Sequence, residues 1–362
     1  MENKQIFSII TVSYNQGRYI EETIKSVIFQ EGDFFLEYLI VDGGSTDNTL
    51  EILQKYKELI ENKKIEIKCK GIEFKYISEK DQGPTNALNK GLKMVMGSII
   101  GIINSDDIYP EGALNQVWTT FQRNSEIDIV YGDIKFIDEE GNYIILKKGK
   151  PNLNIKDFIY ENAIIQPEAF LRKGVFKNVG LFDEDLKFAN DYEFWIRCLK
   201  NQIKFKYIPY TLAIFRKRED ARSSSKNPFI FIDTLKVQYK YFGLTNFFLK
   251  NIGIYSAMFS YQTKKNCNSG FDEILKLLNK ELSLNLSRKL IKKAKSFCYL
   301  KFSIYKIYED KKESFKNYSK AIIYNPSIFF SKNNLIFLIR FMLVRKNIYF
   351  SIKSFFLKLK NL

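Results

Sequence analysis

The strongest constraint on this chain is a rhythm. Short apolar runs alternate with helical patterns over the first hundred or so residues. Ile6–Val12 ends in Ser13-Tyr14-Asn15-Gln16-Gly17, and RYIEETIKSVIFQ then puts Ile20, Ile24, Val27 and Ile28 on one helical face. Leu36–Asp42 leads into GGSTD and a helix from about Thr46 to Leu59, which Ser45 or Thr46 can cap with Asp47 in its first turn. Glu73–Ser78 ends near Asp81, residues 84–96 read as helix, and Ile99–Ile103 is a fourth strand. Strands and helices alternating at this spacing predict an open parallel α/β sheet.

Further on, Asp128–Asp138 and Tyr143–Lys147 predict a hairpin around Glu140-Gly141. Ala163–Arg172 reads as strand, Asn190–Lys200 as helix and Lys204–Arg216 as strand. After Arg222-Ser-Ser-Ser-Lys-Asn-Pro228 the strand patterns fade into helical stretches rich in Lys, Phe and Leu, which predicts two domains, 1–225 and 226–362. Charge divides the same way. Residues 226–362 carry 26 Lys and Arg against 7 Asp and Glu, a net +19, while residues 1–225 sum to −3. There is no histidine, which excludes a His base and zinc chemistry on imidazole and leaves acid–base work to carboxylates, Lys or Tyr. The four cysteines lie far apart, at no metal or redox spacing, and MENKQIFSIITVSYNQG lacks the order of a signal peptide. Both point to the reduced cytoplasm.

In open α/β sheets ligands bind beyond the carboxyl ends of the strands. Asp42, Asp81 and the pair Asp106/Asp107 all stand at or just past such ends. Each alone is explained by turn chemistry or helix capping. Together on one edge they repel unless a cation or donor group offsets them, and a hard divalent ion carrying phosphate oxygens is the natural partner.

These segments resemble the inverting family 2 glycosyltransferases of GT-A fold, over roughly residues 6–216. They are ITVSYNQGRYIEETIKSVIFQ, YLIVDGGSTDNTLEIL and SEKDQGPTNALNKGLKMVMGSIIGIINSDDIYPEGAL. The resemblance implies a Rossmann-like mixed sheet between helices, followed here by an α-helical extension. It implies transfer of a sugar, hexosyl or N-acetylhexosaminyl, from a nucleotide-diphosphate donor, most simply UDP-linked. The acceptor would be a saccharide or lipid-linked molecule of bacterial surface polysaccharide synthesis, with Mn²⁺ or Mg²⁺ as cofactor. Thr11, Ser13 and Asn15 match the first loop against the nucleotide. Asp42 matches the residue that reads the base, beside Gly43, Gly44, Ser45 and Asp47. Asp81 and Gly83 match the donor-side DQGPYDALNKG segment, with Thr85 and Asn86 where Tyr and Asp are common. Asn104-Ser105-Asp106 stands at the metal-binding Asp-x-Asp signature, so Asp106 is the metal ligand, Ser105 lies against the donor, and Asp107 either supports the metal or caps the next helix. Gln166-Pro167-Glu168-Ala169-Phe170 is similar to the acceptor-side QPSTFF strand, and Asp191, in the DYELW-like segment, matches the catalytic base and can cap its helix at the same time. Arg216 matches an arginine near the diphosphate. RKREDARSSS follows where relatives often have His, so Arg216, Lys217, Arg218 or Arg222 can take that contact.

The extension carries two further features. Tyr308–Pro326 looks like one tetratricopeptide-type helix-turn-helix, with Ala321 and Pro326 in place, and is read as part of a helical appendage. NIYFSIKSFFLKLKNL puts Ile348, Ile352, Phe355, Phe356 and Leu359 on one face and lysines on another, so it fits either an anionic membrane surface or an ordinary helical core. Arg340 and Arg345-Lys346 interrupt the apolar run before it, which therefore falls short of the ~20 residues a span requires. Two other classes fit less well. A nucleotidyltransferase opens with a Gly-rich basic loop, unlike SYNQGRY. A nucleic-acid binder would need a module that these strung-out lysines do not form. The remaining alternative is an inactive or scaffolding relative in a membrane-associated polysaccharide synthase complex.

Overall fold

The computed structural model describes residues 6–159, 161–218, 227–284, 286–307 and 309–326. Contacts divide the chain into two compact units, Met1–Ala221 and Arg222–Leu362.

The first unit is an eight-stranded mixed sheet between helices. In chain order it contains β1 (Ile6–Ser13), α1 (Ile20–Ile28), β2 (Gly32–Asp42), α2 (Thr49–Glu61), β3 (Cys69–Ser78), α3 (Pro84–Met94) and β4 (Ile99–Asn104). It continues with α4 (Ala113–Arg123), β5 (Ile129–Ile137), β6 (Tyr143–Lys147), β7 (Ala169–Arg172), α5 (Gly174–Val179), α6 (Asn190–Lys200) and β8 (Phe205–Arg216). The main strand order is β3-β2-β1-β4-β7-β5-β6, with β8 beside β5. β3, β2, β1 and β4 run parallel, as the alternation predicts. β7 is antiparallel to both β4 and β5, so the sheet is mixed rather than all parallel.

Burial on both faces explains why β1 and β2 are nearly unbroken apolar runs. Along β1, Phe7 stacks on Trp118 of α4 with ring centroids 6.3 Å apart, while Ile10 faces Gly91 of α3 from the other side. Gly101, the one small residue in the β4 run, has a similar logic. A Cβ there would lie 2.7 Å from both Ile9 and the Phe170 ring, so glycine is what admits β7 beside β4. Phe7, Phe34, Trp118 and Phe170 form a contiguous aromatic cluster at the centre of this core. Losing one such ring costs about 3–5 kcal/mol.

Two local expectations are corrected. Only Ala169–Arg172 of the 163–172 segment is strand. Gln166–Glu168 is a 3₁₀ turn, where Pro167 has no N–H for a ladder. Helix α2 starts at Thr49 behind Asn48, and Ser45 does not cap it because its hydroxyl is spent on Asp42.

The second unit is helical: α7 (Pro228–Phe242), α8 (Asn246–Gln262), α9 (Cys267–Leu282), α10 (Arg288–Lys306) and α11 (Lys311–Tyr324). Asn227, Thr245, Asn266, Ser287 and Asp310 cap their N-termini through side chains. α11 is a single helix beside α10, so the repeat-like segment supplies one helix rather than two, with Ala321 fully buried as its small residue. Cys267 and Cys298, distant in sequence, come together with Sγ atoms 3.1 Å apart as buried free thiols. Among the described residues no helix is long and apolar enough to cross a membrane. The Asn347–Leu362 amphipathic segment lies outside the described residues.

Candidate functional site

Register places the strand ends side by side. Ser13 pairs with Asp42, Asp42 with Ser78, and Val12 with Asn104, so all these exits share one edge of the sheet. What happens at each exit differs.

At the end of β1, Thr11 is fully buried and shares a hydrogen bond of 3.1 Å with the Tyr38 hydroxyl. It belongs to the core. Ser13 is also buried, with an Oγ that finds no protein partner. The chain then turns through Tyr14, which is 59% exposed, and Asn15, held at φ 52°. Asn15 N–H donates to Ser45 Oγ at 2.7 Å, and Asn15 Oδ1 accepts from Thr46 N–H at 2.8 Å. Gln16 N–H donates to Thr49 Oγ1 at 2.9 Å, and Gly17 N–H donates to Asp47 Oδ2 at 2.9 Å. The first loop and the GGSTD loop are thus laced into one platform.

Asp42 is the clasp of that platform. It is fully buried and accepts from Gly44 N–H (3.1 Å), Ser45 N–H (2.8 Å), Ser45 Oγ (2.5 Å) and Ser78 Oγ (2.6 Å). With its oxygens so used, it shapes the loop. The turn it holds needs Gly44, at φ +83°. Gly43 is needed for a different reason. A Cβ there would lie 2.7 Å from Asp81 Oδ2 and 3.5 Å from the Tyr14 ring. Tyr14, Gly43 and Asp81 therefore form one wall. Asp81 Oδ1 in turn accepts from Gly83 N–H at 2.7 Å, with Gly83 at φ +121°.

The departures at 85 and 86 have a structural explanation. Thr85 Oγ1 accepts from Asn190 Nδ2 at 3.0 Å, and Asn86 Nδ2 donates to Glu184 Oε2 at 2.9 Å. Asn89 Nδ2 reaches Phe182 O and Glu184 Oε1. α3 is thereby tied to the segment that leads into Asp191.

At the end of β4, Ser105 is buried and the two aspartates part company. Asp107 turns inward and is fully buried, with Oδ1 accepting from Arg216 N–H and Oδ2 from Asn104 Nδ2, each at 3.0 Å. Burial first, then the neighbouring Asp106 charge, pushes its carboxyl well above the usual range. Asp107 is therefore a core carboxyl next to Asp106. Asp106 stays half-buried, with Oδ2 3.1 Å from Arg218 Nε.

Arg216 ends β8. It is 4% exposed, and its guanidinium is bound to Asp106 O, Glu139 O and the Glu22 carboxylate, so it ties strand ends together. Arg218, two residues on, is the arginine that meets the Asp106 carboxylate. Its guanidinium lies 4.9 Å from the centre of the Tyr19 ring and donates to Gln16 Oε1 at 3.2 Å. Strand β8 ends at Arg216, so residue 218 lies past it, where the period of two no longer sets side-chain direction. Tyr14 and Tyr19 are the further site residues that motif matching passed over. The signal for Tyr14 was an aromatic residue placed just past a buried strand end.

Among the described residues no three His, Cys, Asp or Glu side chains converge as in a protein-built metal cage. Residue 104 is an amide engaged as a donor, Asp107 is buried, and of these three Asp106 keeps a half-buried carboxylate. That donor set fits a Mg²⁺ or Mn²⁺ ion held by one carboxylate together with substrate phosphates and water.

Asp191 opens α6 and is half-buried. Ala189 is the N-cap residue, with no side-chain cap, and the Asp191 carboxylate itself serves the first turn. Its Oδ2 accepts from Asn162 Nδ2 at 2.8 Å, and Oδ1 from its neighbour Tyr192 N–H at 2.7 Å. Loss of hydration raises its carboxyl to about 6. Beside it, Glu168 is 1% exposed, accepts from Ile165 N–H at 2.7 Å through Oε1, and has an Oε2 without a protein partner. Burial raises Glu168 to about 8, so it keeps its proton at neutral pH. Asn162 Oδ1 and Gln166 Nε2 are likewise buried without partners.

The comparisons with known proteins come to the same half of the chain. The model of the family described as Glycosyl transferase family 2 matches residues 8–180. An uncharacterized glycosyltransferase of Methanocaldococcus jannaschii is 29% identical over 220 residues, covering 59% of this chain and 71% of that protein. The minor teichoic acid biosynthesis protein GgaA of Bacillus subtilis is 28% identical over 226 residues, covering 60% of this chain. The match spans 48% of GgaA, about half its length. Among solved structures, S. aureus TarS 1-349 in complex with UDP-GlcNAc is similar at TM-score 0.49 and 18% identity, over 81% of this chain and 90% of that one.

Proposed function

Through its first unit the chain belongs to the family 2 glycosyltransferases, and from that premise we propose that it transfers a sugar from a UDP-linked donor to a hydroxyl of a cell-surface polymer precursor, with inversion and with Asp191 as base. One observation carries the reading. Asp191 is half-buried beside unpartnered polar groups, and its carboxyl sits at about 6, ionised at neutral pH yet more basic than an exposed aspartate. The teichoic acid relative supports a surface-polymer acceptor.

The nucleotide would lie along the wall of Tyr14, Gly43 and Asp81, its base stacked on the exposed Tyr14 ring. Asp42 acts indirectly, holding that wall in shape. The diphosphate would sit at Asp106 and Arg218, where the guanidinium offsets charge as the leaving group departs. A Mg²⁺ or Mn²⁺ ion on Asp106 would add the same kind of neutralisation at the phosphate oxygens. Asp191 accepts the proton of the attacking hydroxyl. The new C–O bond forms on the face of the anomeric carbon opposite the breaking bond to the diphosphate, and the electron pair of that bond leaves with UDP.

The test is release of nucleoside diphosphate from a panel of nucleotide sugars with Mg²⁺ or Mn²⁺, with and without candidate polyol acceptors. Metal-stimulated UDP release, lost in Asp106→Ala, supports the reading. Absence of both release and UDP binding across the panel contradicts it.

A further inference from the structure

We propose that the α7–α8 turn of the helical unit is a membrane-docking tip, with Leu244 and Phe247 entering an anionic bilayer and a collar of basic side chains meeting its headgroups. The inference rests on the second unit alone and goes beyond the transferase reading.

The turn is built rigidly. Gly243 ends α7 at φ +69°, and Thr245 caps α8 by accepting from Phe248 N–H at 3.1 Å. Behind it, Tyr239 and Phe248 pack at 5.6 Å between ring centres. That packing buries Phe248 and leaves Leu244 at 46% and Phe247 at 39% exposure on the outer side. Two large apolar side chains on one short turn are unremarkable by themselves. Their surroundings are what decide.

α8 and α10 run parallel, so the start of α10 lies beside this turn. Lys293 Nζ donates to Asn246 Oδ1 at 2.7 Å, the backbone at Ala294 and Cys298 comes within 3 Å of where a Cβ on Gly253 would be, and Tyr261 meets Tyr305 at the far end. The first two turns of α10 carry Arg288, Lys289, Lys292 and Lys293, the first three exposed. Lys240 and Lys250 flank the turn on α7 and α8. Against these six cations, no acidic residue occurs between Asp233 and Asp272 or between Glu281 and Glu309. Glu281, at the end of α9, is paired with Lys236 of α7 at 3.3 Å.

Charge complementarity therefore points to an anionic partner, and the two apolar side chains choose which kind. A soluble polyanion gives Leu244 and Phe247 nothing to enter, whereas a bilayer interface takes apolar side chains and basic collars together. Lysine stems suit that position because they extend along apolar surface while the ammonium stays in water.

The test uses the full chain in sedimentation with vesicles of phosphatidylcholine, pure or mixed with equal phosphatidylglycerol, at about 0.1 M salt. Binding is expected to the mixed vesicles only. Leu244→Ser with Phe247→Ser should weaken it at least tenfold, and Lys289→Gln with Lys292→Gln by roughly fivefold per lysine. All four positions are exposed, so the thermal midpoint of each double variant should match the parent. Three outcomes overturn the proposal. One is no binding to anionic vesicles. Another is full binding by the Leu244/Phe247 variant. The third is binding to soluble polyphosphate that competes fully with vesicles and ignores the two apolar substitutions.

Discussion

The donor-side platform and the surroundings of Asp191 are both lined with buried polar groups, yet they treat them in opposite ways. Around Asp42 nearly every lone pair is used: four donors converge on one carboxylate, and two loops are stitched together by Asn15, Ser45, Asp47 and Thr49. Around Asp191, Asn162 Oδ1, Gln166 Nε2 and Glu168 Oε2 are buried without protein partners, and two carboxyls are raised by burial. Saturated networks make scaffolds, because each buried partner fixes another. Unsaturated ones hold groups in an unfavourable state that a reaction can relieve. On the reading proposed above, Asp42 before Gly-Gly shapes the platform and the later, less conspicuous Asp191 carries the chemistry.

Substitutions can break the contrast. Asp191→Asn, with Asn162 still able to bond the amide oxygen, should lower turnover about 10³-fold with UDP affinity within twofold of the parent. Equal loss of affinity in calorimetry would make Asp191 part of the scaffold instead. Asp42→Ala should do the reverse. It strips a buried acceptor from four donors, so stability should fall by about 3 kcal/mol and UDP affinity should fall with it, both measurable by denaturant melts and calorimetry. Arg218→Gln should reduce turnover about tenfold, as one charge on the leaving diphosphate is lost. Arg216→Gln should act chiefly on the melting temperature. A swap of those two effects would restore Arg216 to the diphosphate.

Glu168→Gln gives the most specific effect. An acid raised from an unfolded value near 4.5 to about 8 binds its proton more tightly in the folded chain. Stability is therefore lost as pH rises between those values. The isosteric amide removes that slope, so the variant should melt like the parent at pH 5 and several degrees higher at pH 8. Parallel melting curves across this range would mean that Glu168 is ionised in the folded state.

Much of this was legible in the sequence, and what was not has physical causes. The parallel strands, their order along the chain and the shared edge follow from apolar periodicity, a property of single segments. The antiparallel β7 does not, since its direction depends on Gly101 admitting Phe170 from some seventy residues away. Motif matching names segments but not which side chain faces which way. Thr11 and Asp107 point into the core, and Arg218 meets the Asp106 carboxylate while Arg216 bonds its backbone oxygen, because orientation past a strand end is set by tertiary hydrogen bonds. Thr85 and Asn86 read as departures from a pattern, yet they brace α3 against the approach to Asp191.

The most direct test of Asp191 as base is the pH dependence of sugar transfer at saturating donor and metal, read from pH 4.5 to 9 in the parent and in Asp191→Asn. An ionised carboxylate near 6 predicts rates falling tenfold per pH unit below about 6 in the parent, and a low residual rate without that limb in the variant. A parent profile flat through this range, or the same acid limb in both proteins, would contradict it.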